Sequence, residues 1–188
     1  MTNTLHKGDL PDDVIFDGDV AIDTETMGLN PHRDRLCLVQ LSSGDGSAHM
    51  VQIAPGQTEA PNLQRLLEDP ARTKIFHFAR FDVAVLSHNL GIAVAPLYCT
   101  KIASRLVRTY TDRHGLKDIC RELLGVEMSK QQQSSDWGAE ELSGAQLNYA
   151  ASDVLYLHRL RDALDGMLDR TGRRALAESC FGFLPTRA

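Results

Sequence analysis

Two acidic residues, Asp23 and Glu25, lie two positions apart in the otherwise apolar segment VAIDTE. Residues with this spacing on a β-strand face the same side, so both carboxylates project together. Like charges held this close are costly unless a cation neutralises them. Oxygen donors favour Mg²⁺ or Mn²⁺ over zinc. The alternative is a strand end that has already reached solvent, where both acids are merely hydrated.

A third acid and an acid–tyrosine pair follow later in the chain. Asp82 stands after Phe81 at the start of ARFDVAVL, whose apolar spacing predicts a helix, although the helix dipole alone also favours an acid there. Tyr149 and Asp153 are four residues apart in YAASD and would share one helical face. There the carboxylate can bind metal and the phenol can position a water; an exposed Asp beside a half-buried Tyr is the alternative. Each pattern is weak alone, and only the combination predicts a hydrolytic metal site.

The segments around these residues predict one α/β domain. We predict strands at VAIDTE, RLCLVQLSS, SAHMVQI and TKIFHF, with SGDG as a hairpin turn between the second and third. We predict helices at PNLQRLLED, at ARFDVAVLSHNL up to Gly91, at KIASRLVRTY, at HGLKDICRELL, and as one long amphipathic stretch from Ser143 to Leu168. The residues before about position 17 predict a polar arm that ends in a short strand.

Bulk properties limit the class of protein. A chain of 188 residues fits one domain, and no apolar run approaches the ~20 residues of a membrane span. The four cysteines are scattered without a CxxC pair, and the N-terminus has no secretory signal, which favours a cytoplasmic protein with reduced thiols. The net charge of −5 lacks the basic excess expected for tracking long nucleic acid, and therefore favours a small substrate.

Taken together, the motifs resemble those of the DEDDy 3′→5′ exonucleases of the ribonuclease D group. The resemblance runs through AIDTETMGL, KIFHFARFD, HGLKDICRELLGV, SKQQQSSDW and YAASDVLYLHRL. Within that group the chain is most similar to the short nanoRNase C subgroup, which cleaves very short oligoribonucleotides, on LNPHRDRLCLVQLSSGDG, CTKIASRLVRTYTDRHGL and SKQQQSSDW. The resemblance implies a ribonuclease H-like three-layer fold with a mixed central sheet flanked by helices. We expect a single exonuclease domain over 1–188, without the helical HRDC domains of ribonuclease D itself.

The same resemblance implies a two-metal mechanism with Mg²⁺ or Mn²⁺. Asp23 would bridge the two cations, and the other three acids would complete the ligand set. Tyr149 would orient the attacking water. Short oligoribonucleotides, dinucleotides among them, would be cut to 5′-mononucleotides, and the subgroup implies a homo-octamer.

Further residues are candidates for substrate binding. Backbone groups after the first motif would hold the 3′ end, and Leu29 would wedge between bases unless it merely packs on the core. His77 could contact a base or sugar, or be a strand-end histidine without a ligand. Trp137 could stack on a base or simply anchor its loop. The full set comprises Thr26, Met27, Gly28, Leu29, His77 and, in the polar segment SKQQQSSDWG, Lys130, Gln133, Ser135 and Trp137.

Three arginines around the turn TYTDRHG, namely Arg105, Arg108 and Arg113, could meet phosphate, with solvated helix charges as the default. Alternative functions stay open. Trimming of structured RNA in the manner of ribonuclease D, or a DNA 3′→5′ exonuclease, is the second choice. A catalytically inactive nucleic-acid-binding module is disfavoured because all five motif residues are present. A nucleotide phosphodiesterase with a non-RNA substrate is weaker still.

Overall fold

A six-stranded mixed sheet forms the centre of the computed structural model, which describes residues 2–129 and 131–188. The strands are β1 (Asn3–Lys7), β2 (Val20–Thr26), β3 (Leu36–Ser42), β4 (Ala48–Gln52), β5 (Lys74–Phe76) and β6 (Leu97–Cys99). They lie in the order β1-β4-β3-β2-β5-β6. β3 pairs antiparallel with β2 and with β4, whereas β1–β4, β2–β5 and β5–β6 are parallel.

Helices cover the sheet on both faces. They are α1 (Pro61–Leu67), α2 (Ala79–Leu90), α3 (Thr100–Val107), α4 (Leu116–Leu124), α5 (Gly144–Leu155), α6 (Leu157–Arg170) and α7 (Arg174–Arg187). Side chains of consecutive strand residues point to opposite faces. The Thr24 hydroxyl of β2 donates a hydrogen bond to Asp82 of α2, whereas its neighbours Asp23 and Glu25 lie beside Asp153 of α5. α2 and α5 therefore pack on opposite faces, and the expected three layers are confirmed.

The central strands are buried because both faces of the sheet are covered. Every residue of β3, with the sequence LCLVQLS, is buried, as expected for a near-continuous apolar strand in the middle of a sheet. Gln40 and Ser42 are the exceptions in chemical type, since both are fully buried polar residues in this strand. Within the described ranges, no helix is long and apolar enough to cross a membrane.

Several predicted elements differ from the structure. The short strand lies at the start of the N-terminal arm, as β1 on the edge of the sheet, and not at its end. The long helix predicted from Ser143 is interrupted at Tyr156, which separates α5 from α6. Residues 154–158 contain neither proline nor glycine, so the apolar periodicity gave no sign of the break. β6 and α7 were not predicted; β6 has only three residues, too few for a periodic pattern.

Candidate active site

Three carboxylates from two elements meet at the end of β2. Asp23 and Glu25 project from the strand, and Asp153 approaches from α5. Each offers an oxygen atom such that all three atoms lie within 4.8 Å of one another. All donors are carboxylate oxygens, the donor set that hard divalent cations prefer, so these residues fit Mg²⁺ or Mn²⁺.

Asp82 enters the same site from the opposite face of the sheet. It lies in the first turn of α2, is 3% exposed, and its Oδ1 accepts a 2.7 Å hydrogen bond from Thr24 Oγ1. It is not part of the close group of three oxygens, but it lines the same cavity. Three of the four acids therefore form a close cluster, and the fourth, Asp82, lies beside Asp23.

Burial raises the pKa of all four acids, and repulsion by neighbouring acids adds to this for Glu25, Asp82 and Asp153. Burial raises the pKa of Asp23 to about 7. Burial, followed by the charges of Asp23, Asp153 and Asp82, raises the pKa of Glu25 to about 10. Burial and the charge of Asp23 also raise the pKa of Asp82 and of Asp153 well above the ordinary value. Four acids that repel one another so strongly are an unfavourable arrangement unless cations neutralise them.

Tyr149 lies one helical turn before Asp153 on α5, where the charge of that carboxylate acts on its phenol. Burial, then the negative charges of Asp153, Glu25 and Asp23, raise the pKa of the phenol above its ordinary value. The hydroxyl therefore stays protonated at neutral pH and can donate a hydrogen bond to a group in the site.

The acids open into a cavity of about 330 Å³. This size is within the range of clefts that bind small ligands. Its walls combine the carboxylates with aromatic, basic and amide side chains, among them His77, Phe78, Phe81, Lys101, Lys117 and Gln133. A floor of carboxyl groups with two lysines on the walls suits an anionic substrate held through cations.

His77 lines this cavity, with its Nδ1 atom 2.9 Å from Thr100 Oγ1. Thr100 Oγ1 in turn donates a 3.1 Å hydrogen bond to Phe76 O. Burial, with a contribution from the nearby Lys101 charge, lowers the pKa of His77 to about 3. The imidazole is therefore neutral at physiological pH and held in place by its neighbours; its contact with substrate stays a prediction.

The loop after β2 is organised by a side chain that sequence reasoning did not single out. Asp34 accepts a 3.0 Å hydrogen bond from Asn30 N and forms an ion pair with Arg33. A side chain on Gly28 would place its Cβ 2.3 Å from Asp34 Oδ2, so any larger residue there would force the Asp34 carboxylate to move. Leu29 is 87% exposed, and the alternative that it packs on the core is therefore wrong.

The other predicted residues of this loop have mixed surroundings. Thr26 Oγ1 donates to Gly28 O, and Met27 is 52% exposed. Thr26, Met27, Gly28 and Leu29 are not among the described residues that line the cavity. Their contact with a 3′-terminal nucleotide stays a prediction.

The polar segment after α4 is a loop, as predicted, and Gln133 lines the cavity. Ser135 Oγ donates to Gln132 O and accepts from Gln146 Nε2, so it connects the loop to α5. Trp137 is 3% exposed and packs with a cluster that includes Tyr149, 6.1 Å away between ring centroids. It is therefore placed to anchor the loop and not to stack on a base. Lys130 lies outside the described residues.

The position of Arg108 contradicts both predictions for this residue, namely contact with phosphate and exposure to solvent. Its side chain is fully buried and donates to Ser104 Oγ, to Arg113 O and to Glu122. It neither reaches phosphate nor projects into solvent, because it holds the turn that leads into α4. Arg105 and Arg113 are exposed.

Several residues of the site were not predicted from the sequence. Gln40 Nε2 donates to Asp23 Oδ2 at 3.2 Å, and Thr24 binds Asp82. Phe78 and Lys101 line the cavity beside His77. A glutamine inside an apolar strand is a signal in the sequence that could have identified Gln40. For Thr24, Phe78 and Lys101 the sequence gives no such signal, and only the folded structure places them at the site.

Comparison with known proteins agrees with this geometry. A family model described as 3'-5' exonuclease matches residues 8–169. A ribonuclease D of Gluconacetobacter diazotrophicus is 38% identical over 154 residues, which cover 82% of this chain. The chain covers only 39% of the length of that relative.

Solved structures of Brucella melitensis NrnC match over the whole chain. NrnC with bound Mg²⁺ has a TM-score of 0.95 and 62% identity, covering 100% of this chain and 92% of the other. NrnC bound to pGG has the same TM-score, identity and coverage. The family model matches far more than half of the chain, and the matched range contains all four acids and Tyr149. The chain belongs to the 3′→5′ exonuclease family, with the ribonuclease H-like fold of that family.

Proposed function

We propose that this chain is a divalent-metal-dependent 3′→5′ exoribonuclease that hydrolyses short oligoribonucleotides, dinucleotides included, to 5′-mononucleotides. The observation that carries the proposal is the meeting of Asp23, Glu25 and Asp153 within 4.8 Å, beside Tyr149 and in one cavity with Asp82. Four acids and a phenol from three separate segments of the chain meet in one cavity, an arrangement that is unfavourable without bound cations.

In this proposal Asp23, Glu25, Asp82 and Asp153 hold two cations, Mg²⁺ or Mn²⁺. Bound cations would activate a water and stabilise negative charge on the attacking and leaving oxygens of the phosphodiester. Asp23 is the candidate bridging residue, because it lies in the close group of three and its charge also acts on Asp82. Tyr149 keeps its proton and orients the nucleophilic water through its hydroxyl.

A short substrate is supported by three observations. The cavity is small, at about 330 Å³. The net charge of −5 offers no general attraction to a long polyanion. The similar protein NrnC has been solved with pGG. A single domain over 1–188 acting in the cytoplasm as a closed homo-oligomer, with the octamer as our specific expectation, completes the proposal.

A chromatographic time course tests the substrate class. Labelled dinucleotide, a long single-stranded RNA and a DNA duplex are incubated separately with the protein and Mg²⁺ or Mn²⁺. We expect the dinucleotide to be consumed fastest, and an Asp23→Asn protein to leave all three intact. Equal or faster trimming of the long RNA, or of the DNA, would replace the proposal with the ribonuclease D-like or DNA exonuclease activity. Light scattering of the same sample measures the oligomeric state, where a monomer would refute the assembly.

A further inference from the structure

Phe78 has a backbone conformation that is unfavourable for its side chain. Its φ of 72° and ψ of 39° lie in the left-handed region, and among the described residues it is the only non-glycine with a positive φ. Glycine and asparagine adopt this conformation readily, whereas a bulky aromatic residue does so at a cost. The position directly precedes α2, the helix that carries Asp82.

Packing does not explain why the residue is a phenylalanine. The side chain is 46% exposed, although it is large and apolar. It is the most exposed aromatic among the described residues that line the cavity of the acids. Glycine or asparagine would suit both the backbone and the solvent better. Strain that persists beside a reactive cluster suggests that the ring itself has a use there.

A cation lies against this ring. Lys101 Nζ is 4.1 Å from the centroid of Phe78, within the range of a cation–π interaction, and it lines the same cavity. The contact restricts the orientation of the ring and places a positive charge next to an apolar surface. An aromatic face beside a positive charge is the combination that unpaired nucleotides bind, through the base and the phosphate respectively.

We propose that Phe78 is a base-stacking residue, which receives one unpaired base of the substrate on its exposed ring while Lys101 fixes the ring and faces the phosphate backbone. The inference rests on the proposed function and deepens it. If the scissile phosphodiester lies at the acids, the bases on either side of it must contact the cavity walls, where Phe78 is exposed. Stacking tolerates any base, so the site would select single-stranded nucleotides without reading their sequence.

The test compares wild type with Phe78→Asn, Phe78→Gly and Phe78→Tyr, and with Phe183→Asn as a matched control. Phe183 is 58% exposed on α7, and is not among the described residues that line the cavity. We expect Phe78→Asn and Phe78→Gly to raise the KM for a dinucleotide at least about fivefold, which corresponds to loss of one stacked base. Their Tm should equal or exceed that of wild type, because both residues tolerate the backbone. Phe78→Tyr and Phe183→Asn should keep the wild-type KM.

Substrates that lack one base decide whether the lost contact is stacking. Two dinucleotides, each with an abasic ribose at one position, are compared with the complete one. The effect of Phe78→Asn on KM should vanish for one of them, which identifies the stacked base. An unchanged KM in Phe78→Asn, an effect that persists on both abasic substrates, or a lower Tm in both Asn and Gly variants would overturn the inference. Wild-type protein that leaves every dinucleotide uncut would instead refute the proposed function, and this inference with it.

Discussion

Gln40 Nε2 donates a 3.2 Å hydrogen bond to Oδ2 of Asp23, its cross-strand partner in the β2–β3 pair. Gln40 is fully buried, and its Oε1 has no hydrogen-bond partner among the described residues. A buried polar side chain that leaves one of its own acceptors unpaired contributes little to stability. Its contribution is the orientation of a carboxylate that we assign to both cations.

Replacement of Gln40 by leucine should therefore separate metal binding from folding. We expect the Kd for Mg²⁺ to rise about tenfold, as is usual when a group that orients a metal ligand is removed. The Tm should change little, because an apolar side chain replaces one with an unpaired acceptor. Isothermal titration and thermal unfolding measure both quantities. A wild-type Mg²⁺ affinity in this variant would show that Asp23 needs no such support.

Asp153→Asn should abolish turnover while the fold persists. We expect kcat to fall at least about 10²-fold, the usual effect of removing one preorganised electrostatic group. In EDTA the Tm should exceed that of wild type, because one of four mutually repelling acids is gone. Asp162→Asn, at a 69% exposed side chain on α6, is the control and should behave as wild type. Near-native activity of Asp153→Asn with Mn²⁺ would contradict its place as a metal ligand.

Tyr149→Phe removes one hydroxyl and keeps the ring that packs against Trp137. We expect kcat to fall by about 10²-fold, which is the effect of a misplaced reacting group. KM should stay close to wild type, since the phenol acts on the water. Steady-state kinetics on a dinucleotide measures both, with Tyr110→Phe at a 67% exposed side chain as control. An equal loss in binding and turnover would rule out water positioning.

The raised carboxyl pKa values predict how stability depends on pH. An acid whose pKa is higher in the folded than in the unfolded protein contributes stability at low pH, and this is lost as pH rises through the folded pKa. For Asp23 the loss spans the range from its ordinary value to about 7. The free energy of unfolding should then fall by at most about 1.4 kcal/mol per pH unit for each excess proton that the folded protein holds.

Thermal unfolding from pH 5 to pH 8, in EDTA and in Mg²⁺, tests whether stability falls as the pH rises. In EDTA we expect the Tm to fall as pH rises, and in Mg²⁺ the fall should be reduced or reversed, because cations bind the deprotonated acids. The double variant Asp23→Asn/Glu25→Gln should flatten the EDTA curve. A Tm in EDTA that increases with pH in wild type but not in the double variant would contradict the raised pKa values.

The motif residues could be predicted because residues that act together are close in the sequence, at spacings that place them on one face of a strand or helix. Asp23 and Glu25 are two apart on a strand, and Tyr149 and Asp153 are four apart on a helix, so each pair shares a face whatever the rest of the chain does. Apolar periodicity likewise predicted the strands β2 to β5 and most of the helices. The mixed sheet and the three layers were predicted from the resemblance to the ribonuclease D group.

What escaped prediction depends on contacts between distant segments. Arg108 is buried because Glu122, Ser104 and the Arg113 carbonyl all converge on it, and no spacing in the sequence reveals that. Trp137 was open to two interpretations until its burial against β3 favoured one. Phe78 has an unremarkable place in the sequence, and only its backbone angles distinguish it.

Gly28 and Asp34 illustrate a constraint that reaches beyond this chain. The carboxylate of Asp34 occupies the space into which any side chain at position 28 would grow. A substitution at position 28 alone would displace that carboxylate and release the turn that presents Leu29. We therefore expect the two positions to covary in homologues, so that a homologue with a larger residue at position 28 should have a smaller residue in place of the acid at position 34.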